Sequence, residues 1–199
     1  MLDDLASILD HEFKDSSLLT EAMTHGSMGS NNPNYERLEF LGDRVLSLVI
    51  ADMLLAHFPK EAEGDLARRH AALVRREALA EIARDQHLGD SIIMGRSEAD
   101  AGGRENPGIL SDVCESVIAA LYLDGGLDVA SRWIRTHWSA RMAQPVQPPK
   151  DAKTALQEWA QGRGMPTPTY SVVSRSGPDH APVFEISVTV EGRPSVNGA

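Results

Sequence analysis

The chain has 199 residues, 42% of them hydrophobic and 24% charged, with a formal net charge of −10 and one cysteine, Cys114. This allows one or two soluble domains with a proper core, excludes an internal disulfide, and suits a reducing cytoplasm. No apolar run approaches membrane length, and Met1-Leu2-Asp3-Asp4-Leu5 is acidic where a signal peptide is basic, so the expected location is cytoplasmic, with no membrane partner.

In chain order, Leu5 to His11 and Leu18 to His25 read as short helices, and Gly26 to Asn34 as a loop. A long amphipathic helix is predicted from Tyr35 to Phe58, with Leu38, Leu41, Val45, Leu48 and Val49 on its apolar side. Glu61 to Asp65 reads as a turn in which Asp65 caps a helix running from Leu66 to Gln86. Ser91 to Glu105 is irregular, with a bend at Gly102-Gly103. Asn106-Pro107 combines a capping residue with a first-turn proline and opens a helix that ends at Gly125-Gly126. That helix is apolar nearly all round, which marks it as central. A last helix, Leu127 to Met142, closes a first domain at residues 1–142. Residues 143–150, with Pro145, Pro148 and Pro149, read as a linker. Beyond it, Lys153 to Gly162 is helical, and Thr169 to Arg175 and Val183 to Glu191 alternate as two antiparallel strands.

Glu36, Glu39 and Asp43 are spaced i, i+3, i+7 and fall within an arc of about 60° on the helix. Each like-charge contact costs an isolated helix roughly 0.2–0.5 kcal/mol. No Lys or Arg follows at i+3 or i+4, and Arg37 and Arg44 fall elsewhere on the wheel. A solvated polar face is the competing reading. Asp112 and Glu115 form a second i, i+3 pair inside the apolar helix. There the competing reading is an N-cap with its capping-box partner, but Asn106-Pro107 already supplies a start. Buried acids need compensation, and a divalent cation supplies it. Oxygen ligands without a His or Cys cluster point to Mg²⁺ or Mn²⁺ over Zn²⁺. His25 has no ligand partner at helical spacing, and Cys114 reads as core.

The run Glu36-Arg37-Leu38-Glu39-Phe40-Leu41-Gly42-Asp43 resembles the signature of the ribonuclease III family, the double-stranded-RNA endonucleases. Ala22-Met23-Thr24-His25 and Gly102-Gly103-Arg104-Glu105-Asn106-Pro107 resemble two further family segments. The resemblance implies a mainly α fold: an all-helical endonuclease domain followed by a partial α+β double-stranded-RNA-binding domain. It implies that Glu36, Glu39, Asp43, Glu63, Asp112 and Glu115 build one acidic site. Glu39, Asp43, Asp112 and Glu115 would hold Mg²⁺, with Mn²⁺ able to substitute, and Asp43 and Glu115 would be the catalytic pair. Glu36 and Glu63 would place the RNA and its scissile strand, and Phe40 would enter the partner subunit of a homodimer. The implied reaction leaves 5′-phosphate and 3′-hydroxyl ends, in the processing of ribosomal RNA and other RNA precursors including messenger RNA.

Asp151 to Trp159 resembles the first helix of a double-stranded-RNA-binding domain, with Thr154, Gln157 and Glu158 on the groove-facing side. Gly177 to Pro182 resembles its first strand-connecting loop, with His180 reaching the groove. Such domains read A-form shape. Residues 151–199 are therefore expected to be an incomplete copy, without the family's second helix. Charge points the other way from the motifs. A nucleic-acid binder ordinarily carries a basic footprint, yet residues 1–150 hold 24 acids and 15 bases, and residues 151–199 hold 5 acids and 4 bases. Arg68, Arg69, Arg75 and Arg76 are the local basic concentration. The favoured reading is a metal-dependent double-stranded-RNA endonuclease. The alternatives are a double-stranded-RNA-binding regulator with weak or no cleavage, and a helical phosphohydrolase for small molecules.

Overall fold

The computed structural model describes residues 2–29, 32–143, 152–176 and 183–198. The chain divides into two compact units, Met1–Pro148 and Pro149–Ala199. The expected linker at 143–150 lies, apart from Ala143, outside the described residues.

The first unit is helical: α1 (Leu2–Ile8), α2 (Ser16–Ala22), α3 (Glu36–His57), α4 (Glu63–Leu73), α5 (Arg76–Asp85), α6 (Arg96–Asp100) and α7 (Pro107–Ala143). Its centre is the pairing of α3 with the first leg of α7. Val113, Cys114, Val117, Ile118, Ala119, Ala120 and Leu121 are all fully buried, as the all-round apolar pattern of that helix requires. From α3, Leu46, Val49, Ile50 and Leu54 pack into the same core. Asn106 caps α7 by accepting the Gly108 N–H at 2.8 Å. The helix breaks once, at Gly126, whose φ of 78° and ψ of −179° lie outside the range open to other residues. Asp124, two residues before the break, anchors the segment between α1 and α2. Its carboxylate accepts the backbone N–H groups of Lys14 and Asp15 at 3.1 and 2.9 Å and contacts His11 Nε2 at 2.7 Å.

Several expectations need correction; the stretch Ser91 to Glu105, expected to be irregular, carries the short helix α6. The helix predicted from Leu66 to Gln86 is two helices, separated at Val74-Arg75. The core makes this break: the buried Trp138 indole donates to the Leu73 carbonyl at 2.9 Å, filling the acceptor that an ending helix leaves open. The helix also begins at Glu63 rather than after Asp65, with Ala62 at the cap position and Asp65 paired to Arg68 within the first turns. Finally, Leu48 is not on the apolar side of α3; it is 58% exposed.

The second unit carries α8 (Ala152–Gln161) and an antiparallel sheet in the order β1 (Thr169–Ser176), β2 (Val183–Thr189), β3 (Val196–Gly198). Thr169 pairs with Thr189 and Ser176 with Val183, with an irregularity between Val172 and Ser174. β1 is exposed along its whole length, so its alternating sequence does not correspond to a half-buried strand here. β3 pairs Val188 with Val196 and was missed by periodicity because three residues are too short to show one.

Candidate metal centre

Gly42 decides how the site is built. A Cβ at this position would lie 1.8 Å from the Glu115 carbonyl oxygen, so α3 and α7 cross with their backbones in contact. Only glycine permits that approach. The crossing brings Glu39, three residues before Gly42, alongside Asp112 and Glu115 on α7. Ligand-capable atoms of Glu39, Asp112 and Glu115 all lie within 4.8 Å of one another. All three side chains are half-buried.

Three carboxylates this close repel, and the proton affinities show it. The Glu115 carboxyl is pushed up to about 7, first by burial and then by the charges of Glu39 and Asp112, with Arg44 opposing. Glu39 is also raised, by burial, then Asp112, then Glu36. Asp112 is raised by burial, while Arg76, a hydrogen bond from the Tyr35 hydroxyl, and His25 hold it back. A group of partly buried acids that resist ionisation is a site short of positive charge. Its donor set is all oxygen, which fits a hard divalent cation.

The other expected site residues are distributed around this group. Asp43 stands one turn further along α3, outside the three-carboxylate group. It pairs with Arg44 and lies 3.5 Å from Ser47 Oγ. This corrects the helical-wheel reading of Arg44, whose long side chain folds back onto its neighbour and also lies 4.7 Å from the Phe40 ring centroid. Glu36 is exposed at the start of α3, beside Gly26. Glu63 stands apart from the group: it opens α4 and lines a groove of about 380 Å³ with Ala51, Leu54, Leu55, Leu66 and His70. Phe40 is 66% exposed, so it is not a core residue of its own chain. In the second unit, Gln157 and Glu158 are exposed on α8. His180 and the side chain of Thr154 lie outside the described residues.

Two neighbours of the group escape a reading from spacing alone. Tyr35, 6% exposed, has its phenol pushed well above the ordinary range, first by burial and then by the charge of Asp112. His25 has its Nδ1 2.8 Å from Ser27 Oγ and accepts the Ser27 N–H at 3.1 Å, with its ring against Tyr35. The segment matched in sequence at Thr24-His25 is thus part of the wall of the site. It is held by a parallel bridge from Thr24 to Ile93.

Residues 15–142 match a family model described as Ribonuclease-III-like, and residues 152–195 match the double-stranded RNA binding motif. A protein called Ribonuclease 3 from Azorhizobium caulinodans is 50% identical over 192 residues, covering 94% of this chain and 82% of its own length. Another so called, from Cereibacter sphaeroides, is 51% identical over 181 residues, covering 90% of this chain and 79% of its own. Among solved structures, the nuclease domain of ribonuclease III from Campylobacter jejuni superposes with a TM-score of 0.66 at 43% identity. It covers 70% of this chain and 99% of that domain. Dicer from Pichia stipitis shares the fold at 21% identity and a TM-score of 0.51. On these grounds, and with the acidic site formed where its helices cross, the chain belongs to the ribonuclease III family.

Proposed function

We propose that the chain cleaves double-stranded RNA by phosphodiester hydrolysis at the crossing of α3 and α7, with divalent cations held by Glu39, Asp112 and Glu115 and joined by Asp43. The observation that carries this reading is the convergence of three half-buried carboxylates within 4.8 Å. Cations bound there would lower the pKa of a coordinated water and offset charge on the leaving oxygen. The chain's own part is to hold four carboxylates on two rigid helices. Glu36, on the exposed lip, is suited to steering the strand. Mg²⁺ is the expected ion, with Mn²⁺ as a substitute, and the products are 5′-phosphate and 3′-hydroxyl ends. RNA precursors, ribosomal among them, are the proposed substrates.

Each site cuts one strand, so a double-strand cut needs two sites related by a two-fold axis. We assign the homodimer face to α3, where Phe40, Leu48 and Leu55 are 66, 58 and 62% exposed. The groove beside Glu63 is apolar and lies at the far end of the same helix, suited to receiving a ring such as Phe40 from a second copy. The Campylobacter nuclease-domain structure is described as showing flexibility in a region involved in dimer formation.

The test is cleavage of a long RNA duplex with Mg²⁺, beside single-stranded RNA and duplex DNA. Only the RNA duplex should be cut. Asp112→Asn and Glu115→Gln should each lower turnover by at least about 100-fold while retaining the fold. Duplex binding without cleavage by the native chain would instead favour the RNA-binding regulator.

A further inference from the structure

Leu73 is the one buried residue of α4. A helix that buries this little is held by few apolar contacts, so its polar contacts decide where it sits. Its C-terminal end is fixed by the Trp138 indole, which donates to the Leu73 carbonyl at 2.9 Å. Nearer the other end, Arg69 meets both carboxylate oxygens of Glu61 at 2.7 Å and lies 3.9 Å from the Phe58 ring centroid. Glu61 and Phe58 belong to the turn between α3 and α4, so Arg69 does not tie α4 to α3 itself. Among the described residues, one polar side-chain contact does: His70 Nε2 lies 3.1 Å from the Ser47 carbonyl oxygen. A carbonyl only accepts, so Nε2 carries the hydrogen. Ser47 is inside α3, where its carbonyl gives one lone pair to the helix ladder and has a second for His70. The contact lies one turn beyond Asp43, whose Oδ1 is 3.5 Å from Ser47 Oγ. On α4, His70 follows Glu63 by seven residues and so shares its face. Both line the groove whose other wall is Ala51, Leu54 and Leu55 of α3.

We infer that His70 is a positioning residue for Glu63: by pinning α4 to α3 beside Asp43, it sets where the Glu63 carboxylate stands relative to the acidic site. The inference rests on the cleavage reading above and on Glu63 as a residue that places the RNA strand. Glu63 is exposed at the first turn of α4 and makes no hydrogen bond or ion pair among the described residues. Its position is therefore the position of its helix. A misplacement of about 1 Å in a group that holds substrate can lower the rate about 100-fold, even when the altered residue is away from the chemistry. Glu39, Asp112 and Glu115 stand on α3 and α7, so they do not depend on His70.

The experiment uses the full chain, native and as His70→Ala, His70→Gln, Glu63→Gln and the double variant Glu63→Gln with His70→Ala. Cleavage of a long RNA duplex gives kcat and KM, at concentrations where sedimentation shows each variant in the native assembly state. Mn²⁺ binding without RNA is followed by electron paramagnetic resonance. Assays in the cold keep His70→Ala folded if its melting temperature drops. His70→Ala should lower kcat/KM by about tenfold or more and leave Mn²⁺ affinity at its native value. His70→Gln keeps a side-chain N–H for the Ser47 carbonyl and should recover most of the activity. The double variant should be no worse than Glu63→Gln alone, because two changes that act through one group do not add. A merely structural histidine would lower the melting temperature and multiply the loss in Glu63→Gln, and that result overturns the inference. Native kcat/KM in His70→Ala beside an impaired Glu63→Gln removes the role of His70 alone. Native activity in Glu63→Gln removes the task given to Glu63, and the inference with it. Absence of cleavage by the native chain overturns the cleavage reading before any variant is compared.

Discussion

Glu115 makes the cost of the site measurable. Its carboxyl is held at about 7 in the fold against 4.5 in a free chain. Between those pH values the folded protein keeps a proton that the unfolded chain has released, so stability falls as pH rises through this window. Above pH 7 the loss is complete. Glu115→Gln removes it. In the absence of metal, the variant should be more stable than the native chain at pH 8, by on the order of 1–2 kcal/mol once solvent screening of a half-buried group is allowed for. Near pH 4.5 the difference should vanish. Divalent metal should reverse the order, because the native fold gains binding free energy that the variant largely lacks. Thermal melts with chelator and with Mg²⁺, at both pH values, check each arm. A variant no more stable than native at pH 8 without metal would show that the three acids do not strain the apo fold. All three of these acids were legible in the sequence, because like charges at helical spacing with nothing to offset them are a visible cost. Tyr35 and the Asp43–Arg44 pair were not, since both depend on where a long side chain turns after the backbone is placed.

At the scale of elements, the crossing of α3 and α7 carries the most weight. Gly42 sits inside a helix, where glycine costs roughly 1 kcal/mol relative to alanine. That penalty is the signal of a close approach that the sequence carries at this position. Gly42→Ala should restore helix propensity and still destabilise. The added methyl would meet the Glu115 backbone at 1.8 Å, so one helix must move. A cost of about 3 kcal/mol or more is expected, read as a lower denaturant midpoint, with cleavage lost even where the fold persists. An unchanged midpoint would mean that the helices do not touch there. The outer face of α3 makes the opposite prediction. Phe40→Asp and Leu48→Asp change exposed positions, so the monomer should unfold at nearly its native midpoint. Sedimentation should nevertheless shift from dimer toward monomer, and double-strand cleavage should give way to nicking. The exposure of Leu48 was not legible because a hydrophobic stripe has the same period whether it faces a core or a second subunit.

For the whole molecule, charge and motif pull in different directions. The net charge of −10 leans against a polyanionic ligand, yet the family match and the double-stranded-RNA-binding motif both stand. The acids that make the chain look unsuited are partly those gathered for cations, which invert the local electrostatics once bound. The two-unit division follows the same logic. The first unit holds every carboxylate of the site, and a relative's nuclease domain alone forms the same fold over 99% of its length. The second unit contributes five basic residues: Lys150, Lys153, Arg163, Arg175 and Arg193. Three of them lie over the rings of Tyr170, Trp159 and Phe184, at 5.1, 4.5 and 5.9 Å. Each phosphate contact adds about 0.9 to the slope of log affinity against log salt on a duplex. Residues 149–199 can therefore add a slope of about 4.5 at most. We expect residues 1–148 to cut a long RNA duplex at low salt with a kcat within a few-fold of the full chain. Their KM should be higher. The full chain's advantage in binding should shrink as salt rises, since added salt weakens every phosphate contact the second unit makes. Cleavage by both proteins across a salt series gives kcat and KM separately. If removing residues 149–199 instead abolishes kcat at low salt and saturating RNA, the second unit takes part in the catalytic step and is more than a holder of the duplex.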